Sequence, residues 1–261
     1  MQGAVMYQIF PDRFYQSCVC YSAQKLQTYW VNDSTYDVPV YLPDARGEVL
    51  NNDFFGGNLN GIREKLPYLR SLGVEILYLN PIFMAFSSHR YDTYDYKRID
   101  PMLGTEADFS ALCADAHELG MKIVLDGVFS HVGSRSPYFQ SAIADPNSPY
   151  RSWFQFKHYP DVYESWWGIT TLPCIDKTNE EYMRFIMDSD DCVLAHWLRL
   201  GADGYLYGHA DVAGRRTDIV ARVDGRQHPE VGETVFLHPQ QNHTHVFDIE
   251  SGNRLSAAVT A

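Results

Sequence analysis

The chain predicts an α/β fold built on a parallel sheet, and three observations carry that expectation. Short apolar runs recur at residues 4–10, 74–80 and 123–125. Stretches with helical periodicity, 59–72 and 105–120, separate them. Strand–helix–strand order forces crossovers between parallel strands, and strands covered on both faces read as unbroken apolar runs.

Residues 4–10 (AVMYQIF) read as a first buried strand, stopped by Pro11-Asp12. Residues 16–52 are rich in Tyr, Asn, Asp and Pro and show no period, which predicts a long loop or a small excursion. The segment 51–57 ends in a glycine pair, a turn signal. In 59–72, Ile62, Leu66, Leu69 and Leu72 fall at helical spacing, Pro67 predicts a kink or a shortened helix, and Gly73 suits a C-terminal cap. A second strand at 74–80 leads to a polar, aromatic loop at 89–95. Thr105 with Asp108 forms a variant capping box ahead of the stripe Phe109, Leu112, Ala116 and Leu119, and Gly120 closes that helix.

The third strand organises the rest. Residues 121–131 read MKIVLDGVFSH, an apolar run that delivers Asp126 and then His131. Polar groups just past the carboxyl end of a parallel strand stand where α/β folds place their chemistry. The same pair would also suit a plain strand-to-loop junction whose side chains satisfy backbone groups. Residues 132–179 follow without a clear period and hold Trp153, Trp166 and Trp167. This aromatic insertion fits one wall of a substrate cleft and fits equally a self-packed loop. Helical periodicity returns at 179–200, and 204–207 supply a short fourth strand. Beyond His209 periodicity is poor, and 231–236 (VGETVF) are the candidate fifth strand.

The bulk composition narrows the function. The 261 residues, 45% hydrophobic and 14% aromatic, can bury a core. A net charge of −12 disfavours a nucleic-acid partner and is compatible with a neutral ligand such as a sugar. The 5 cysteines are scattered; Cys18 and Cys20 lack a second pair at zinc spacing, so reduced thiols in a cytoplasmic protein are expected. No leader or membrane span is read from the chain.

Six segments resemble glycoside hydrolase family 13, the α-amylase superfamily, and most closely its cyclomaltodextrinase and neopullulanase-like branch. They are YQIFPDRF at 7–14, NNDFFGGNLNGI at 51–62, LGVEILYLNPIF at 72–83, SSHRYDTYDY at 87–96, DGVFSH at 126–131 and WWGITTLP at 166–173. The resemblance covers about residues 4–204 and keeps the family's order. It implies a (β/α)8 barrel, here with its first four or five strands. The corresponding division is 1–131 for three βα units, 132–178 for an insertion lobe, and 179–261 for the fourth and fifth units with a divergent, truncated tail.

The family cleaves α-glucans with two carboxyl groups, a nucleophile and a general acid, roughly 5–5.5 Å apart in retaining glycosidases. Carried across, the resemblance makes Tyr91 a sugar-stacking platform, has Asp126 brace the site, and gives His131 a hydrogen bond to sugar hydroxyls. Ser130 stands where the family usually has Asn. The fourth strand departs further. Against the pattern G-x-x-G-W-R-L-D, the chain reads GADGYLYG at 201–208, so Leu206 replaces the arginine and Gly208 the nucleophilic aspartate. Asp126 thereby lacks its expected cation, and a buried carboxylate without one is costly or takes up a proton. Glu233 lies in a segment like that of the general acid, while Asn242-His243-Thr244 comes too early for the third carboxylate motif. Asn58 replaces a calcium-ligating Asp of some branches, so no metal site is expected, and no cofactor is implied. The expected ligand is an α-glucan or maltooligosaccharide. Three states are open to the chain: an active α-glucan hydrolase, a non-catalytic sugar-binding homologue, and a damaged relative, truncated or frame-shifted and inactive, which is the one expected of this chain. Unpaired strand edges in a partial barrel predict aggregation, an oligomer or a completing partner.

Overall fold

The computed structural model describes residues 4–17, 25, 28–34, 36–40, 42–43, 47 and 49–206; beyond 206 it describes short strands only. Four parallel strands form the central sheet: β1 (Met6–Ile9), β2 (Ile76–Leu79), β3 (Lys122–Asp126) and β4 (Gly204–Leu206), in that spatial order. Helices α1 (Leu59–Ser71) and α2 (Glu106–Glu118) supply the first two crossovers, and α3 (Pro137–Ala144), α4 (Glu180–Ile186) and α5 (Val193–Arg199) lie between β3 and β4. This is the opening half of a barrel of the (β/α)8 type.

The alternation is written in local chemistry. Asn58 caps α1 by accepting from the Gly61 N–H at 2.7 Å. That helix ends in a Schellman turn, with Gly73 N–H bonded to the Arg70 carbonyl and Val74 N–H to that of Leu69. The helix runs through Pro67 unbroken, and Pro67 and Arg63, four residues before it, are both exposed. The capping box at α2 is fully formed, Thr105 and Asp108 each accepting from the other's backbone N–H. Apolar faces of both helices close on the sheet: Ile62, Leu66, Phe109 and Leu112 pack with Leu77, Leu79, Ile123 and Leu125, all buried. Each such side chain contributes about 1.5–3 kcal/mol on leaving water.

Three sequence expectations are corrected. The first strand is no buried strand: Met6 and Tyr7 are 39% and 41% exposed, since β1 is the sheet's edge among the described residues. The polar loop at 89–95 ends inside a hairpin, Phe83–Ala85 against Thr93–Ile99, whose alternation is masked by buried Thr93 and Tyr96. The helical pattern at 179–200 is two helices, α4 and α5, parted by Asp188, Ser189, Asp190 and Asp191, residues that compete for backbone groups.

The insertion answers to both readings offered for it. Phe139, Phe154, Phe156 and Tyr163 pack on one another, whereas Trp166 and 168–172 face a cleft. Contacts divide the chain into Met1–Arg222 and Val223–Ala261. Within the second unit, Val246–Phe247 pairs antiparallel with Arg254–Leu255. The candidate fifth strand at 231–236 lies outside the described residues. Among the described residues no helix is long and apolar enough to cross a membrane.

Candidate active site

A cleft of about 1540 Å³ opens above the carboxyl ends of β2 and β3. Its walls come from 49–52, from the 86–92 segment, from the 131–135 segment, and from Trp166 and 168–172 of the insertion. Tyr91 and His131 both line it, and Asp126 sits beneath Tyr91.

The segment carrying Tyr91 is held from both sides. The Ser87 hydroxyl donates to the Asp92 carboxylate, and the Arg90 N–H donates to Ser87 Oγ at 3.1 Å. Arg90 itself is buried, in the left-handed region at φ +63°, with its guanidinium on the Ser88 carbonyl at 2.8 Å and near Asp100 at 3.5 Å. A non-glycine residue there marks a segment fixed by its surroundings.

Tyr91 is the middle of a hydrogen-bonded chain across three strand ends. Gln8 Nε2 donates to Asn80 Oδ1 at 3.0 Å, Asn80 Nδ2 to Tyr91 Oη at 3.0 Å, and the Tyr91 hydroxyl to Asp126 Oδ2 at 2.9 Å. The Tyr78 hydroxyl also bonds to Asp126. Burial and the adjacent carboxylate push both phenols up. Burial raises the Asp126 pKa, and the two hydroxyls only partly oppose it. No cation among the described residues forms an ion pair with Asp126. Leu206 is its register partner on β4.

Two histidines face the cleft, and burial lowers the pKa of each. His131 is pushed down to about 4, chiefly by burial, with nearby His89 adding to the effect and the Tyr91 backbone opposing it. Its Nδ1 lies 3.0 Å from Ser130 Oγ, while Nε2 is buried without a hydrogen-bond partner. His89 Nδ1 accepts from the Tyr91 N–H at 3.0 Å, so its neutral ring carries the proton on Nε2.

Antiparallel pairing brings the insertion onto this site. The Val132 N–H meets the Pro173 carbonyl, Ser134 N–H that of Thr171, and Ile175 N–H that of Ser130. Trp166 N–H bonds in turn to the Leu172 carbonyl, which sets the Trp166 ring 5.4 Å from His131. Arg135 stacks 3.8 Å over Phe86 across the cleft.

The structure thus brings together Tyr91, Asp126 and His131. Gly208 and Glu233 lie outside the described residues. Sequence reasoning did not pick out Asn80, Tyr78 or His89. Asn80 was findable, being the polar residue at the end of an apolar strand; Tyr78 reads as core in any strand. Among the described residues no group of three His, Cys, Asp or Glu could hold a metal ion, and Asn58 is occupied as a helix cap.

Comparison with known proteins gives a consistent result. Residues 8–247 match the family model for the alpha amylase catalytic domain. An amylopullulanase of Thermoanaerobacter thermohydrosulfuricus is 38% identical over 78% of this chain and 16% of its own length. The intracellular maltogenic amylase of Bacillus subtilis is 35% identical over 86% of this chain and 34% of its own. Among solved structures, the cyclic alpha-maltosyl-(1→6)-maltose hydrolase of Arthrobacter globiformis superposes with a TM-score of 0.64 at 34% identity, covering 77% of this chain and 43% of that one. The type III pullulan hydrolase of Thermococcus kodakarensis gives 0.64 at 36% identity, covering 77% and 37%. The chain therefore spans less than half the length of each of these relatives, and it belongs to the α-amylase family of α-glucan glycoside hydrolases.

Proposed function

We propose that this chain binds maltooligosaccharides in the cleft and, as written, does not cleave them. The observation that carries the binding half is the convergence of Tyr91, His89 and His131 on one cleft. In this reading the Tyr91 ring stacks on a glucose unit, His131 and His89 bond to its hydroxyls, and Asp126 braces Tyr91 from below. Aromatic platforms with a few fixed polar groups are what sugar sites require.

The inactive half rests on Gly208. Glycine has no side chain to attack an anomeric carbon, so the covalent intermediate of a retaining glycosidase has no oxygen to form on at that position. Asp211 does not replace it: it lies beyond the end of β4, on Ala210–Val212, which pairs antiparallel with Arg215–Thr217 in a separate two-stranded sheet. The free thiols Cys113, Cys174 and Cys192 support a reducing compartment, and we place the protein in the cytoplasm.

A second reading, an active α-glucan hydrolase with Glu233 as general acid, draws support from the family match running to residue 247. One experiment separates the two. Purified protein is given a nitrophenyl maltoside, and maltotriose binding is measured by calorimetry. Binding without turnover supports the proposal; sustained turnover establishes the second reading; neither binding nor turnover removes both.

A further inference from the structure

Trp167 combines two features that oppose stability. It is 85% exposed, the largest apolar side chain type turned to water, and its backbone is left-handed at φ +51° and ψ +28°. A bulky residue in that region is strained, and strain of this kind persists where the surroundings impose it and concentrates at ligand sites. The surroundings here are specific. Its ring lies parallel to that of Trp166, 4.3 Å apart and 12° from coplanar. Trp166 lines the cleft, as do the following residues Gly168 to Leu172. Trp167 itself is outside the cleft, one ring-stacking distance from its wall.

We infer that Trp167 is an outer platform for a glucose unit of an α-glucan that extends beyond the cleft. The inference rests on the sugar-binding reading of the cleft and adds a subsite to it. A single exposed flat ring, with Glu164, Ser165, Thr170 and Thr171 near it in the chain, suits the apolar face of one sugar ring. Continuity with Trp166 sets the direction: a chain held at Tyr91 and His131 passes Trp166 and reaches Trp167 next.

Calorimetric titration with maltotriose and maltohexaose, on the wild type, Trp167→Gly and Trp167→Phe, tests this. Glycine removes the ring and accepts the left-handed backbone, so the melting temperature of W167G is expected to hold or rise. Maltohexaose is expected to bind W167G about two- to tenfold more weakly than the wild type, the range for one aromatic contact. Maltotriose affinity stays unchanged, and W167F recovers part of the loss. Equal maltohexaose affinity in the wild type and W167G overturns the outer platform while leaving the cleft reading intact. Absence of any sugar binding by the wild type overturns both.

Discussion

The Tyr91 hydroxyl donates to Asp126 Oδ2 at 2.9 Å, and that contact, with a second from Tyr78, is what the carboxylate has, among the described residues, in place of a positive partner. Hydroxyl donors soften a buried charge without neutralising it. Asp126 is therefore held above the usual carboxylate range, its burial outweighing the two donors. The native state binds a proton more readily than the unfolded chain does, so stability is lost as pH rises through the raised pKa. Asp126→Asn is expected to be more stable than the wild type at pH 7 by about 0.5–2 kcal/mol, a gain seen where a functional group is kept at the expense of stability. Urea denaturation at pH 7 and pH 4 checks this, with the advantage shrinking at the lower pH. A variant less stable than the wild type at pH 7 would count against it.

A cation at position 206 should reverse that result. Leu206 pairs in register with Asp126 on the neighbouring strand. In Leu206→Arg, an opposite charge beside the carboxylate brings its pKa down. Asp126→Asn introduced into that background then breaks a buried pair and costs about 3–5 kcal/mol. A double-mutant cycle by denaturation reads the sign change directly.

His131 contributes a pH dependence of the opposite sign. Its folded pKa, about 4, lies below the ordinary histidine value of 6.5. Between those two values the unfolded chain binds more protons, so stability is complete above pH 6.5 and declines as pH falls toward 4. Full loss amounts to roughly 3 kcal/mol. His131→Gln is expected to flatten the stability profile between pH 4 and 6.5. Thermal melts across that range, wild type against variant, check it; parallel profiles would contradict it.

Two glycines separate strain from space. Gly73 closes α1 at φ +82°, and a Cβ added there would have nothing within 4 Å, so Gly73→Ala costs only backbone conformation, about 1–2 kcal/mol. At Gly61 an added Cβ would meet the Tyr15 carbonyl oxygen at 1.9 Å. Gly61→Ala must therefore move backbone, and its loss should exceed that of Gly73→Ala when both are compared by denaturant midpoint.

What was legible in the sequence was local. The Schellman glycine, the Thr105–Asp108 box and the apolar run ending in Asp126 each depend on residues within a few positions, and each stands where it was expected. What was hidden depends on distant pairing. Nothing near His131 announces Trp166, because their contact is created by 130–134 running antiparallel to 171–175. The 83–99 hairpin escaped notice because its inward positions include Thr93, polar in sequence yet fully buried. The exposed side of β1 is equally invisible locally, since edge or interior is decided by what pairs beside a strand.

The central claim is that a sugar cleft survives here without a nucleophile at position 208. A fluorinated maltosyl fluoride, which lets a retaining glycosidase form its covalent intermediate but slows its release, tests that claim by intact-protein mass spectrometry. The expected spectrum is the unmodified 29.9 kDa chain after prolonged incubation. A stoichiometric gain of one maltosyl unit, mapped by peptide digestion to any Asp or Glu, would contradict it.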